Sequence, residues 1–107
     1  MTARALINVP AKVRPGEVIE IKTLIAHPME TGFRVGLNGA LIPRDIITTF
    51  VCSYNGEEIF RTDFSPAIAA NPFVSFFTVA TATGTIEFQW TGDNGFSAAE
   101  SAPITVE

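Results

Sequence analysis

Apolar and polar positions alternate along most of this chain. From Glu17 to Ala26, Ile19, Ile21, Thr23 and Ile25 fall on one face and Val18, Glu20, Lys22 and Leu24 on the other, the period of a β-strand. This stretch reads as the central strand. Ala5, Ile7 and Val9 share a side within Arg4 to Val9, and Pro10 after them predicts an edge position. Between Ile46 and Tyr54, Ile46, Thr48, Phe50, Cys52 and Tyr54 share one face, and Ile47, Thr49, Val51 and Ser53 the other. Glu58 to Phe64 follows, with Phe60 and Phe64 opposite Ile59, Arg61 and Asp63. Phe73 to Val79 is apolar on both faces, Phe73, Phe77 and Val79 against Val74 and Phe76. Ile86, Phe88 and Trp90 alternate with Thr85, Glu87, Gln89 and Thr91, one buried face and one wet face as in an antiparallel sheet. Phe96 to Val106 is weakly patterned, and Pro103 predicts a bulge or an edge there.

Turn residues punctuate these runs. Arg14-Pro15-Gly16 is a turn, and Asn55-Gly56 a tight hairpin. Pro66 and Pro72 bound one helical turn or a compact loop, and Gly92-Asp93-Asn94-Gly95 reverses the chain. Between His27 and Arg44 the alternation dissolves, and Asn38-Gly39 predicts a small protruding ribbon. Seven strands without a long helix predict an all-β fold. It is an immunoglobulin-like two-sheet β-sandwich of about seven antiparallel strands, one domain over 1–107. A lone cysteine rules out the antibody Cys-Trp-Cys signature.

Composition narrows the function classes. The net charge is −4, and the seven basic residues are scattered among acids, which excludes a phosphate-binding surface for nucleic acid. No apolar run reaches the ~20 residues of a membrane span. The first ten residues lack a basic region followed by a long apolar stretch, so the sequence by itself points to the cytoplasm. Nine of the eleven aromatic residues are Phe, a side chain suited to packing and contact rather than chemistry.

Candidate chemistry is thin. The one internal methionine, Met29, and the one histidine, His27, lie two apart at the exit of the central strand. A blue-copper site needs two His, a Cys and an axial ligand, and structural zinc needs four ligands. The count fails for both within one chain, although His27 and Met29 could join a soft-metal site shared with a partner. Cys52 could pair with His27 as a nucleophile. Its mid-strand place between Val51 and Ser53, however, predicts an inert core thiol. Glu57 and Glu58 are adjacent and point to opposite faces, so they read as a solvated hairpin end. The residues therefore predict no catalytic group, no cofactor and no metal. The doubly apolar strand predicts a partner interface at Phe73, Val74, Phe76 and Phe77, with His27, Met29 and Phe33 as a second patch. On this reading a His27→Ala change leaves the fold nearly intact.

Five stretches in order carry a resemblance: His27-Pro28-Met29-Glu30-Thr31-Gly32, Ile42-Pro43-Arg44 before Ile46-Ile47, Tyr54-Asn55-Gly56-Glu57 with Phe60, Pro66 to Pro72, and Gly84 with Phe88 and Trp90. Together the chain resembles the SoxZ family from about Val9 to its end. Phe33 to Leu41 departs from the family's charged loop by being apolar. The resemblance implies a non-catalytic partner of SoxY, whose cysteine sits on a flexible Gly-rich arm and carries sulfur through thiosulfate oxidation. The pair presents the cysteine-bound sulfur to the other Sox enzymes, which meet this chain transiently through the carrier. It also implies a periplasmic address, reached by export with SoxY without a signal peptide of its own. This chain ends Pro103-Ile104-Thr105-Val106-Glu107, without a Gly-Gly-Cys-Gly-Gly arm. When isolated, the chain is expected to be able to self-associate. The competing reading is a small metal-binding or structural immunoglobulin-like domain unrelated to sulfur carriage.

Overall fold

The computed structural model describes residues 4–107. Eight strands follow one another: β1 (Ala5–Asn8), β2 (Lys12–Val13), β3 (Val18–Ile25), β4 (Ile47–Tyr54), β5 (Glu57–Asp63), β6 (Phe73–Val79), β7 (Gly84–Gly92) and β8 (Ser97–Val106). They form a three-stranded sheet in the order β1-β3-β6 and a five-stranded sheet in the order β2-β8-β7-β4-β5. The two sheets pack as an immunoglobulin-like sandwich, as the alternation predicts.

The eighth strand is β2. Pro10 has no amide to continue the pairing of β1, and the chain crosses to the other sheet. There Lys12 and Val13 lie parallel to Thr105 and Val106 of β8, and the Thr105 and Glu107 amides donate to the Ala11 and Val13 carbonyls. Every other strand pairing among the described residues is antiparallel. β3 is the central strand of its sheet, and Ile19, Ile21, Thr23 and Ile25 are all buried.

The core lies between the sheets. Phe50, Phe88 and Trp90 of the five-stranded sheet are fully buried. Phe50 lies 5.3 Å from Trp90 and 6.3 Å from Phe76 of the opposite sheet. Phe60 and Phe76 stack across the sandwich with centroids 4.3 Å apart and planes within 5°. These offset and tilted geometries suit the ring quadrupoles.

Strict alternation fails at two places. The β4–β7 register shifts between Ile47 and Thr49, so Ile46 and Ile47 are both buried rather than on opposite faces. Gly92 permits that approach, because a Cβ there would stand 2.4 Å from the Ile46 carbonyl oxygen. The β4–β5 register shifts between Cys52 and Ser53, and Ile59 then packs against the core together with Phe60 and Phe64. Such bulges turn consecutive residues toward one face. The segment between Pro66 and Pro72 is a loop and not a helical turn; its one local backbone bond nearby is from the Ile68 amide to the Ser65 carbonyl.

Candidate functional site

The exit of β3 is built from reciprocal bonds. The His27 amide donates to Asn71 Oδ1 at 3.0 Å, and the Asn71 amide donates back to the His27 carbonyl at 2.8 Å. Asn71 adopts a φ of 54° and Met29 a φ of 51°, the left-handed region in which Asn is at ease and Met is not. What holds Met29 there is its neighbour: His27 Nδ1 accepts the Met29 amide at 3.0 Å. The proton of the neutral imidazole is therefore on Nε2, which faces Asp45 Oδ1 at 3.8 Å. The ring stands edge-on to Phe96 at 4.8 Å. Met29 Sδ in turn accepts the Ile47 amide at 3.3 Å.

His27 Nδ1 and Met29 Sδ thus each accept a backbone amide. Among the described residues no group of three His, Cys, Asp or Glu side chains could hold a metal ion. His27 and Met29 of the expected second patch are both buried, each 5% exposed. Phe33 alone of that patch is exposed.

Charges around this end are paired internally. Arg44 grips Asp93 through two bonds of 2.8 and 2.9 Å, and the Ile46 amide adds a third at 3.1 Å. The Arg44 hydrogen bonds, and after them the Ile46 amide, hold the Asp93 carboxyl below its usual value of 3.8. Arg34 binds both carboxylate oxygens of Glu30 and lowers its pKa in the same way. Glu30 and Asp45 exchange two backbone bonds of 2.8 Å, which ties the exit of β3 to the approach to β4.

Cys52 is completely buried in mid-β4. Burial pushes its thiol up to about 12, which disfavours the thiolate that a Cys52–His27 nucleophile would need. Glu58 pairs with Arg61 at 2.8 Å, and Glu57 lies in solvent; the two carboxylates converge on nothing.

Two surfaces remain. The first is the outer face of the three-stranded sheet. Phe73 and Phe77 of β6 are 60% and 67% exposed, Val74 is half-buried, and Phe76 is in the core. Of the expected strand interface, then, Phe76 packs inward and Phe73 and Phe77 are exposed. The register extends their surroundings. Leu6, Leu24 and Phe73 form one row across the three strands, and Val18 lies beside Val79. All are exposed. Glu20, Lys22 and Ser75 separate the two apolar ends and bond among themselves.

The second surface is the expected ribbon. Val35 bridges Leu41, the Ile42 amide donates to the Arg34 carbonyl and the Gly36 amide to the Ala40 carbonyl. Asn38 Oδ1 closes the tip by accepting the Ala40 amide at 3.0 Å. Phe33, Val35, Leu37 and Leu41 all face solvent. Leu6, Val18, Leu24, Val35, Leu37 and Leu41 escape a reading based on one strand at a time. For the ribbon a signal existed: no charged residue occurs from Val35 to Pro43.

Comparison with known proteins follows this geometry. Residues 7–103 match the family model described as Sulphur oxidation protein SoxZ. No curated protein matches the sequence. Among solved structures, the superoxide reductase (neelaredoxin) from Ignicoccus hospitalis is similar with a TM-score of 0.75 and 18% identity, over 100% of this chain and 81% of that one. The sulfur carrier protein SoxY from Chlorobium limicola f thiosulfatophilum is similar with a TM-score of 0.67 and 12% identity, over 96% of this chain and 78% of that one. At such identities the likeness is one of fold.

Three outcomes follow from the site. Native protein at pH 8 leaves Cys52 unlabelled by a thiol-disulfide reagent, and denaturation releases one reactive thiol; rapid native labelling would contradict its burial. His27→Ala leaves the buried Met29 amide without its acceptor and should cost ~1–3 kcal/mol in urea unfolding while the variant still folds. Asp93 has a folded pKa below its unfolded one, so its contribution is complete above 3.8 and is lost as the pH falls through the depressed value. The thermal midpoint of Asp93→Asn should therefore fall less steeply with acidification than that of the wild type, measured by circular dichroism.

Proposed function

The chain belongs to the SoxZ family, and on that premise we propose that it is the non-catalytic partner subunit of a SoxY-type sulfur carrier. As a single domain over 1–107, it holds the carrier in a heterodimer, the SoxYZ complex, that presents cysteine-bound sulfur to the enzymes of thiosulfate oxidation. Those enzymes meet it transiently, through the carrier. The observation that carries this reading is the family match over residues 7–103. The side-chain chemistry agrees with a supporting role. Cys52 is a buried thiol, and His27 Nδ1 and Met29 Sδ each accept a backbone amide.

The interface we propose centres on Phe73 and Phe77, with Val74 beneath them and Phe33 on the ribbon as a second contact. Phe76 supports this surface from the core by stacking on Phe60. The site of action is the periplasm, reached together with the carrier. Among the described residues no helix is long and apolar enough to cross a membrane.

Co-expression with a SoxY-type chain tests the reading. One complex should elute at micromolar concentration, as expected for an interface burying at least ~1,200 Å², and Phe77→Glu should weaken it. Separate elution of the two wild-type chains would overturn the proposal.

A further inference from the structure

β6 is an edge strand of the three-stranded sheet, and its hydrogen bonds divide by parity. The Ile25 amide donates to the Pro72 carbonyl and the Ala80 amide to the Glu17 carbonyl. With the register Ile21↔Phe76 and Thr23↔Val74, the even-numbered residues from 72 to 80 face β3. The amides and carbonyls of Phe73, Ser75, Phe77 and Val79 consequently point away from the sheet. None of these groups bonds to another backbone group among the described residues. The same four residues place their side chains on the outer face.

A free strand edge is a template for further pairing, and proteins guard such edges with charge, proline, bulges or brevity. The other edges here are guarded. β5 carries Glu57, Glu58, Arg61 and Asp63 and follows a register shift. β1 has four residues and is soon followed by Pro10, and β2 has two. β8 contains Glu100 and Pro103. β6 alone runs seven residues, Phe-Val-Ser-Phe-Phe-Thr-Val, with no charge and no proline and with a regular register to β3.

We propose that the free edge of β6 pairs backbone to backbone with an uncharged edge strand of the carrier subunit, so that the three-stranded sheet continues into the partner. This rests on the carrier-partner reading above and specifies where and how the partner binds. Charge selects the occupant. Glu20, which pairs opposite Phe77 in the ladder, is engaged by Lys22 at 3.6 Å and by the Ser75 hydroxyl at 3.0 Å, and β6 itself carries no charged residue, so the strip offers little to hold a charged strand. Area agrees as well. Pairing along seven residues spans roughly 23 Å and brings the neighbouring strand's side chains onto Phe73, Phe77 and Val79. Leu24 and Val18 lie one strand further in and extend that apolar cover toward the ~1,200 Å² of a stable complex. Beside one end of β6, Tyr54, Ile59, Thr78 and Thr81 line an open cleft with Glu57 at its rim, which can take the side chains an added strand turns inward.

Amide hydrogen exchange measured by NMR, on the isolated chain and on its complex with a SoxY-type chain, tests the pairing. Val74, Phe76 and Thr78 should be protected in both states. Ser75 and Phe77 should exchange freely in the isolated chain and slow by at least about tenfold in the complex. A complex in which these two amides exchange as in the free chain would overturn edge pairing while leaving the partner reading intact. Absence of any complex would overturn both. Protection that grows with concentration of the isolated chain alone would reassign the edge to a second copy and overturn the heteromeric pairing. Ser75→Pro removes an amide that the β3 ladder does not use. It should keep the fold, by circular dichroism, and weaken the complex at least about tenfold; undiminished binding by the folded variant would count against the pairing.

Discussion

Sheet-to-sheet aromatic packing is the constraint on which the rest of this molecule depends. Phe50 sits against Trp90 and Phe88 on its own sheet and approaches Phe76 on the other, and Phe76 stacks on Phe60. A strand turns its side chains alternately, so committing Phe76 to this layer commits Phe73, Phe77 and Val79 to the opposite face. The exposed phenylalanines of β6 are a consequence of how the core is filled. They are also the residues a partner would meet first.

The sequence stretches that mark the family act as joints between segments distant in the chain. His27 and Asn71 bond reciprocally across 44 positions. Arg44 and Asp93 tie the approach to β4 to the β7–β8 turn. Asn55 Oδ1 accepts the Thr85 amide at 2.9 Å, and Gly84 must be glycine because a Cβ would stand 1.6 Å from that oxygen. The Tyr54 hydroxyl donates to the Ala82 carbonyl and accepts the Thr81 and Ala82 amides. Each joint satisfies backbone groups that a loop would otherwise leave unpaired. That use explains why these polar residues are arranged so specifically: their donors and acceptors hold the backbone.

Alternation made most of the fold legible before any coordinates. β3, β6 and β7 fall where Ile19–Ile25, Phe73–Val79 and Ile86–Trp90 predicted them; the buried face of β7 is the expected one, whereas β6 read as apolar on both faces and only the structure shows that Phe76 faces the core. The misses have physical causes. Ile46 with Ile47, and Ile59 with Phe60, break alternation at register shifts, which no period reveals. Lys12–Val13 is too short to show a pattern. Exposure was half legible. Of the residues one strand's apolar count singled out, Phe73 and Phe77 are exposed and Phe76 is buried, and His27 and Met29, added by proximity in sequence, are buried as well.

By itself the sequence determined the strands, the inert setting of Cys52, the shortage of metal ligands and the kinship of the chain, because these follow from local period, residue count and motif order. Tertiary structure alone decided which strand became an open edge, which amides of β6 face outward, and that Leu6, Leu24 and Phe73 line up across three strands. It also decided that His27 closes a turn instead of meeting a ligand. Those outcomes depend on strand order, register and long-range hydrogen bonds, which bring together residues tens of positions apart and leave no trace in any single stretch of the chain.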